Sequence, residues 1–304
     1  MKKLAIFGIL LILIGVTINY KEDILSEYYQ YFYNTKKEIK LGKKNKYYRD
    51  YDFLYVQNTD DFVPNNKQDL LNIFYTVINA GKDEFTFYCP KNYENCIDDV
   101  KSLAKDQITL SNINNFVHPF NSFKNISTKT DTLGKVTIEL TKSYTDNDIK
   151  LVTEAFNEAK KEVINKNLST EDQLKAIHDY IIDNSIYDSN RTDNNVIEYK
   201  SDIAYGPLIE GYGICGGYSD AFALFLEDLG IKNYKVSSDS HVWNAINLYD
   251  NWYNIDLTWD DPVTNTGEQI IEEKFFKVTT NELLSLEKEQ HNFNQNVYQE
   301  LKVN

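Results

Sequence analysis

The chain has 304 residues, 42% of them hydrophobic, and a formal net charge of −14. That length and apolar content allow one large or two ordinary domains with packed cores, and they exclude wholesale disorder. The acidic balance excludes non-specific nucleic-acid binding, which needs clustered Lys and Arg to displace phosphate counterions, and no nucleic-acid motif is present.

Lys2 and Lys3 precede an apolar run from Leu4 to Ile18. This run suits the apolar stretch of a signal peptide and is short for a membrane-spanning helix, which needs about 20 residues. The following Val16-Thr17-Ile18-Asn19-Tyr20 lacks a clean small-x-small cleavage site, and no Cys follows it for a lipid anchor. Residues 1–19 are therefore read as an export signal or a retained membrane anchor. They imply an extracytoplasmic protein, secreted or anchored at the cell surface. Residues 20–52 are read as a linker or stalk. It has a helical pattern through Ile24, Tyr28, Tyr29 and Phe32, then a basic stretch from Lys36 to Arg49 expected as a solvated face.

Residues 53–145 read as a small α+β domain. Strands are expected at Phe53–Val56, Phe85–Tyr88 and Val136–Leu140, and helices at Leu70–Ile78 and Ile97–Leu103, from apolar periodicity. Cys89 and Cys96 lie in a polar loop with Pro90, Asn92 and Asn95. Outside the membrane they either close a local disulfide, stabilising by about 2 kcal/mol, or remain two free thiols. Two Cys without further ligands do not make a zinc site. His118, followed by Pro119, reads as structural.

Residues 146–304 read as the catalytic domain. A long helix is expected from Asp146 to about Asn165, and a second starts at a Ser169 or Thr170 cap with Glu171 and Asp172 in its first turn. Gly211 and Gly213 then punctuate a loop, Tyr218, Ala221, Phe222, Phe225 and Leu229 recur at helical spacing, and Gly230 supplies the stop. Cys215 thus sits at a helix N-terminus, where the helix dipole favours thiolate over thiol. The neighbouring glycines would let a substrate backbone come close. His241 opens an alternating run to Tyr249, Asp250-Asn251 gives a turn, and Trp252–Trp259 returns as a second strand. Pairing Tyr249 with Trp252 puts Asp256 opposite Ala245, on the face of His241 but four residues off in register, about 13 Å. The order Cys215, His241, Asp256 fits nucleophile, base and orienter.

At these residues the sequence resembles the transglutaminase-like superfamily of the papain-like fold. The nucleophile motif stands as Gly213-Ile-Cys215-Gly-Gly217-Tyr218, the base motif as His241-Val-Trp243-Asn244, and the orienter motif as Trp252-Tyr253-Asn-Ile-Asp256-Leu-Thr258-Trp259. Ile177-His178-Asp179-Tyr180 and Tyr187-Asp188 also look like the helix leading into bacterial members. The resemblance covers about residues 146–262. It implies an α+β fold in which a nucleophile helix packs on an antiparallel sheet, preceded here by a small α+β domain similar to the N-terminal extension of exported bacterial members. It also implies that Cys215 attacks a carboxamide or peptide carbonyl to give a thioester, His241 moves the proton and Asp256 holds the imidazole. The Cys215 N–H would be one oxyanion donor, and no motif identifies the second. The expected partner is a protein or peptide substrate. Transamidation, deamidation and peptide hydrolysis all fit, and a membrane-anchored binding module that keeps the fold without catalysis is the alternative.

Trp243, Trp252 and Trp259 are expected either to wall the cleft or to fill the core. His178, beside an apolar helix face, reads as structural. Asp260 and Asp261 fall short of the six to eight oxygens a calcium ion takes. No phosphate-cradling glycine loop and no ligand cluster appears, so no nucleotide or metal cofactor is expected.

Overall fold

The computed structural model describes residues 39–263 and 270–303, together with positions 20, 21, 23, 24, 27 and 28. The expected export segment lies outside the described residues. No helix among the described residues is long and apolar enough to cross a membrane.

The first unit packs α1 (Lys67–Asn79), α2 (Cys96–Leu103) and α3 (Gln107–Asn115) with a three-stranded antiparallel sheet. In that sheet β3 (Lys135–Lys142) lies between β1 (Glu84–Tyr88) and β2 (Phe123–Thr130). Asn66 caps α1 by accepting from the Asp69 N–H, and the helix buries Leu70, Ile73, Phe74 and Val77. Cys89 and Cys96 are bridged, with Cα atoms 5.6 Å apart, leaving Cys215 as the free thiol.

Two expectations fail here, and two elements go unforeseen, for local reasons. Phe53–Val56 is not a strand: the Phe53 N–H donates to the Val56 carbonyl at 3.0 Å, a turn that sends both side chains into the core. Helix α3 and strand β2 are not among the expected elements. Only Leu110 and Ile113 anchor α3, and β2 buries just Ile126, so neither shows a strong apolar period. Nor is the segment before residue 53 a solvated stalk over its described part. Lys43, Lys44 and Lys46 do face solvent, but Leu41 and Arg49 are buried and Tyr48 and Tyr51 pack on the core.

The second unit holds α4 (Asp146–Val163), α5 (Thr170–Asp183), α6 (Ser189–Asn194) and α7 (Cys215–Asp228). A short parallel pair, β4 (Ile186–Tyr187) and β5 (Tyr212–Gly213), and a π-turn at Gly206–Glu210 lead into α7. Helix α7 packs on an antiparallel sheet of β6 (Asn233–Ser237), β7 (Val242–Leu248) and β8 (Asn251–Ile255), with β7 central. Thr145 makes a capping box with Asp148 at α4, and Ser169 caps α5. Along α7, Phe222 and Phe225 are fully buried, each stabilising by about 1.5–3 kcal/mol. The sheet's other face joins the first unit. Tyr234 of β6 and Trp243 of β7 share a core with Phe53, Phe116 and the C-terminal Phe293 and Tyr298, which follow α8 (Thr280–Leu286). The last residues of the expected catalytic domain therefore complete the core of the first one.

Arg49 locks the two units together. Its guanidinium reaches Glu227 at the end of α7 at 2.7 Å and donates to the Phe116 and Asn233 carbonyls at 2.8 and 3.1 Å. Arg49→Ala would leave these acceptors and Glu227 without their partner. It should lower stability by about 3 kcal/mol in chemical denaturation, whereas the exposed Lys43→Ala should change it by less than about 0.5 kcal/mol.

Candidate active site

Cys215 is the first residue of α7, as its sequence context predicts. Ile214 offers no side-chain cap there, so the first-turn N–H groups are not consumed by a capping side chain. The flanking glycines serve a different purpose from the one expected. A Cβ on Gly217 would fall 2.2 Å from the Ser201 carbonyl oxygen, and one on Gly216 would fall 2.7 Å from that of Asp202. These glycines admit the chain's own 201–203 turn against the helix start. The Ile214 N–H donates to Ser201 at 2.9 Å, fixing that approach.

Helix and sheet are tied where it matters. The Asn244 amide donates to the Ser219 carbonyl at 3.0 Å, and the Ser219 hydroxyl donates to Val242 at 3.2 Å. Together they set the pitch of α7 against the strand that His241 precedes. The hairpin closes in a two-residue turn, Tyr249-Asp250, with both residues at positive φ (54° and 63°). Leu248 therefore pairs with Asn251, and Ala245 with Asn254. This corrects the expected Tyr249–Trp252 pairing. The ladder ends at the Asn244–Ile255 pair, so the same register puts Asp256 level with Trp243, only two residues from His241, while its own N–H donates to the Phe275 carbonyl at 3.1 Å.

His241 and Asp256 meet in a buried site, with Nε2 of the ring 2.5 Å from Oδ2 of the carboxylate. Cys215 lies near enough to the ring to act on its charge. Burial alone would push the imidazole down, but the Asp256 charge and hydrogen bond, with Cys215 adding to them, raise it to about 10. Burial likewise opposes the Asp256 charge, and His241 and His291 outweigh it, holding the carboxyl far below the ordinary range. The arrangement keeps His241 as an imidazolium near Cys215. A cavity of about 270 Å³ opens at His241, lined also by Tyr187, Trp259, Asp261 and Gln290 among others. Burial raises the Tyr187 phenol, and the nearby Cys215 adds to the effect.

Residues 157–257 match the family model of the transglutaminase-like superfamily. This segment is transglutaminase-like. It spans a third of the chain and contains Cys215, His241 and Asp256. The chain is also similar to the crystal structure of a TGase, at 17% identity and TM-score 0.33, over 51% of this chain and 50% of that one. A second similar structure is a proposed cysteine protease from Cytophaga hutchinsonii, at 14% identity and TM-score 0.27, over 48% of this chain and 65% of that one. The chain thus spans half of the first structure and just under two thirds of the second. No curated protein matches it.

Beyond the transglutaminase-like segment, the site recruits residues that the motifs did not reveal. His291, fully buried, places Nε2 2.9 Å from the same Asp256 Oδ2. The Thr258 and Trp259 N–H groups donate to Oδ1 at 3.0 and 3.2 Å. Among the described residues, His241, Asp256 and His291 are the one cluster with metal-ligand spacing. At 2.5 and 2.9 Å both ring nitrogens instead make donor contacts on a single carboxylate oxygen, and an ion would have to displace both protons. The tryptophans divide: Trp243 is core, its indole donating to Asn254 at 2.9 Å, Trp252 packs partly buried on the core, and Trp259 lines the cleft. His178 is structural, buried between Asp179 and Asp260, and Asp261 accepts from the Tyr218 hydroxyl. His118 is also structural: its Nδ1 accepts from the Phe120 N–H at 3.1 Å, and burial pushes it well below its ordinary value.

The raised His241 makes its contribution to stability pH-dependent. That contribution should be fully present below pH 6.5 and lost as pH rises through about 10. The difference in unfolding free energy between wild type and His241→Gln should therefore be flat on the acid side of that window, above the Asp256 titration, and should shrink across it. Denaturant unfolding at a series of pH values measures this.

Proposed function

We propose that the protein is a cysteine-dependent acyl transferase or hydrolase acting on protein or peptide amides outside the cytoplasmic membrane. The observation that carries this reading is the buried His241, held at 2.5 Å by Asp256, with Cys215 at a helix start acting on its charge. In this reading the Cys215 thiolate attacks the amide carbon, and the C–N bond breaks as His241 protonates the leaving ammonia or amine. The thioester then yields to an amine or to water, whose proton His241 takes back, regenerating the thiol enzyme. Asp256 keeps the proton of His241 on Nε2, leaving the other nitrogen for the sulfur and the leaving group. The main-chain N–H of Cys215 and the hydroxyl of Tyr187 are the proposed oxyanion donors. The phenol supports this assignment because it lines the same cleft and stays protonated. The bridged Cys89–Cys96 pair supports an oxidising, extracytoplasmic location, as does the apolar run behind Lys2-Lys3.

Incubation with glutamine-containing proteins and peptides, with and without a primary amine, followed by mass spectrometry, tests the reading. The expected products are amine adducts, deamidated glutamine or cleaved peptide, all absent with Cys215→Ala. Tyr187→Phe should slow product formation by about 10²-fold, as for loss of one oxyanion donor, while Cys215 still alkylates. Modification that persists in a folded Cys215→Ala would refute the thiol mechanism. Fast Cys215 alkylation with no product from a broad panel would favour a binding module.

A further inference from the structure

His291 lies outside the transglutaminase-like segment, yet it is wired into the same carboxylate as His241. Its Nε2 faces Asp256 Oδ2 at 2.9 Å. Its Nδ1 faces the Glu287 carbonyl at 3.1 Å and the Glu287 carboxylate at 3.0 Å. Every one of these partners is an acceptor, so hydrogen-bond accounting puts a proton on both ring nitrogens. Glu287 is held in place and ionised by the N–H groups of Glu289 and Gln290, at 2.7 and 2.8 Å. The ring cannot swing away. Phe275 stacks on it with centroids 5.4 Å apart, and Trp243 meets it edge-on at 4.9 Å.

We propose that His291 is a positioning residue of the active site, a second cation on Asp256 that fixes this carboxylate and moderates its pull on the His241 proton. The inference rests on the triad reading above and adds two members to it. From Glu287 through His291, Asp256 and His241 to the Cys215 thiolate, the groups alternate in charge. A buried carboxylate with one cationic partner would hold the His241 proton so firmly that returning it to a leaving amine becomes slow. A second cation on the same oxygen weakens that grip, and the two imidazole centroids are only 5.4 Å apart. The ionisable groups facing His291 are Asp256, which follows β8, Glu287, which follows α8, and His241, which precedes β7. Asp260, paired with His178 and bound to the Phe275 N–H, is near enough to Asp256 that this charge adds to burial in raising its carboxyl.

The test is the pH dependence of Cys215 alkylation by iodoacetamide in the full chain, from about pH 5 to about pH 11, a span chosen to bracket thiol and imidazole titration. Wild type should show two inflections, one for forming the thiolate–imidazolium pair and one for losing the His241 proton. His291→Gln keeps an N–H donor for Asp256 but carries no charge, and it should move the alkaline inflection up by about one pH unit. Glu287→Gln, which leaves the ring in place but removes its second anion, should move it in the same direction by less. If His291→Gln does not fold, the Glu287→Gln profile decides. Folded variants with an unmoved alkaline inflection would make His291 merely structural and overturn the proposal. A wild-type profile with a single inflection, or one unchanged by Asp256→Asn, would instead refute the triad reading, and this inference with it.

Discussion

The structure around Cys215 is organised by one buried charge, the carboxylate of Asp256. An ion of this kind removed from water costs several kcal/mol unless every lone pair finds a donor. Here four donors converge: two imidazoles on Oδ2 and two main-chain N–H groups on Oδ1. They come from three different parts of the chain. His241 stands at the start of the central strand, Thr258 and Trp259 in the turn after the hairpin, and His291 in the segment following the last helix. Satisfying Asp256 therefore requires the sheet, the turn and the C-terminal segment to dock together, and docking them delivers an oriented imidazole to Cys215.

The nucleophile end obeys a complementary constraint. A thiolate needs an electropositive, partly open setting, so Cys215 cannot occupy the apolar face of α7 that Phe222 and Phe225 fill. It stands at the helix start, where the dipole and the imidazolium act in the same direction. The 201–203 turn is pressed against this first turn, an approach only Gly216 and Gly217 permit. Arg49, Tyr234 and Tyr298 then bind the upstream unit to the far side of the same sheet. The scaffold that carries His241 is thus braced on both faces.

Much of this was legible in the sequence because it rests on short-range signals. The helix beginning at Cys215 declared itself through Tyr218, Ala221, Phe222 and Phe225 at helical spacing, and the strands either side of Asp250 through alternation. The motifs also singled out His241 and Asp256, which the fold brings together. What failed depended on backbone choices that side-chain patterns do not encode. Tyr249 joins Asp250 in the left-handed turn conformation usual for Asn or Gly, and that turn moved the hairpin register by two residues and brought Asp256 to His241. The glycines around Cys215 looked like room for substrate, but they make room for the chain itself. Arg49 sat among lysines and read as solvated, because nothing local shows that Glu227 and Asn233 would enclose it. His291 was invisible for the same reason: it lies 35 residues beyond Asp256, in no motif, and only the folded C-terminal segment brings the two together.

The central claim is that Asp256 holds His241 as an imidazolium beside an ionised Cys215. Side-chain NMR of isotope-labelled histidines in the full-length protein at neutral pH addresses it most directly. The account predicts that His241 carries protons on both nitrogens, with the Nε2 proton strongly deshielded by Asp256, and that this signature disappears in Asp256→Asn. A neutral His241 in the wild type, unchanged by that substitution, would contradict it.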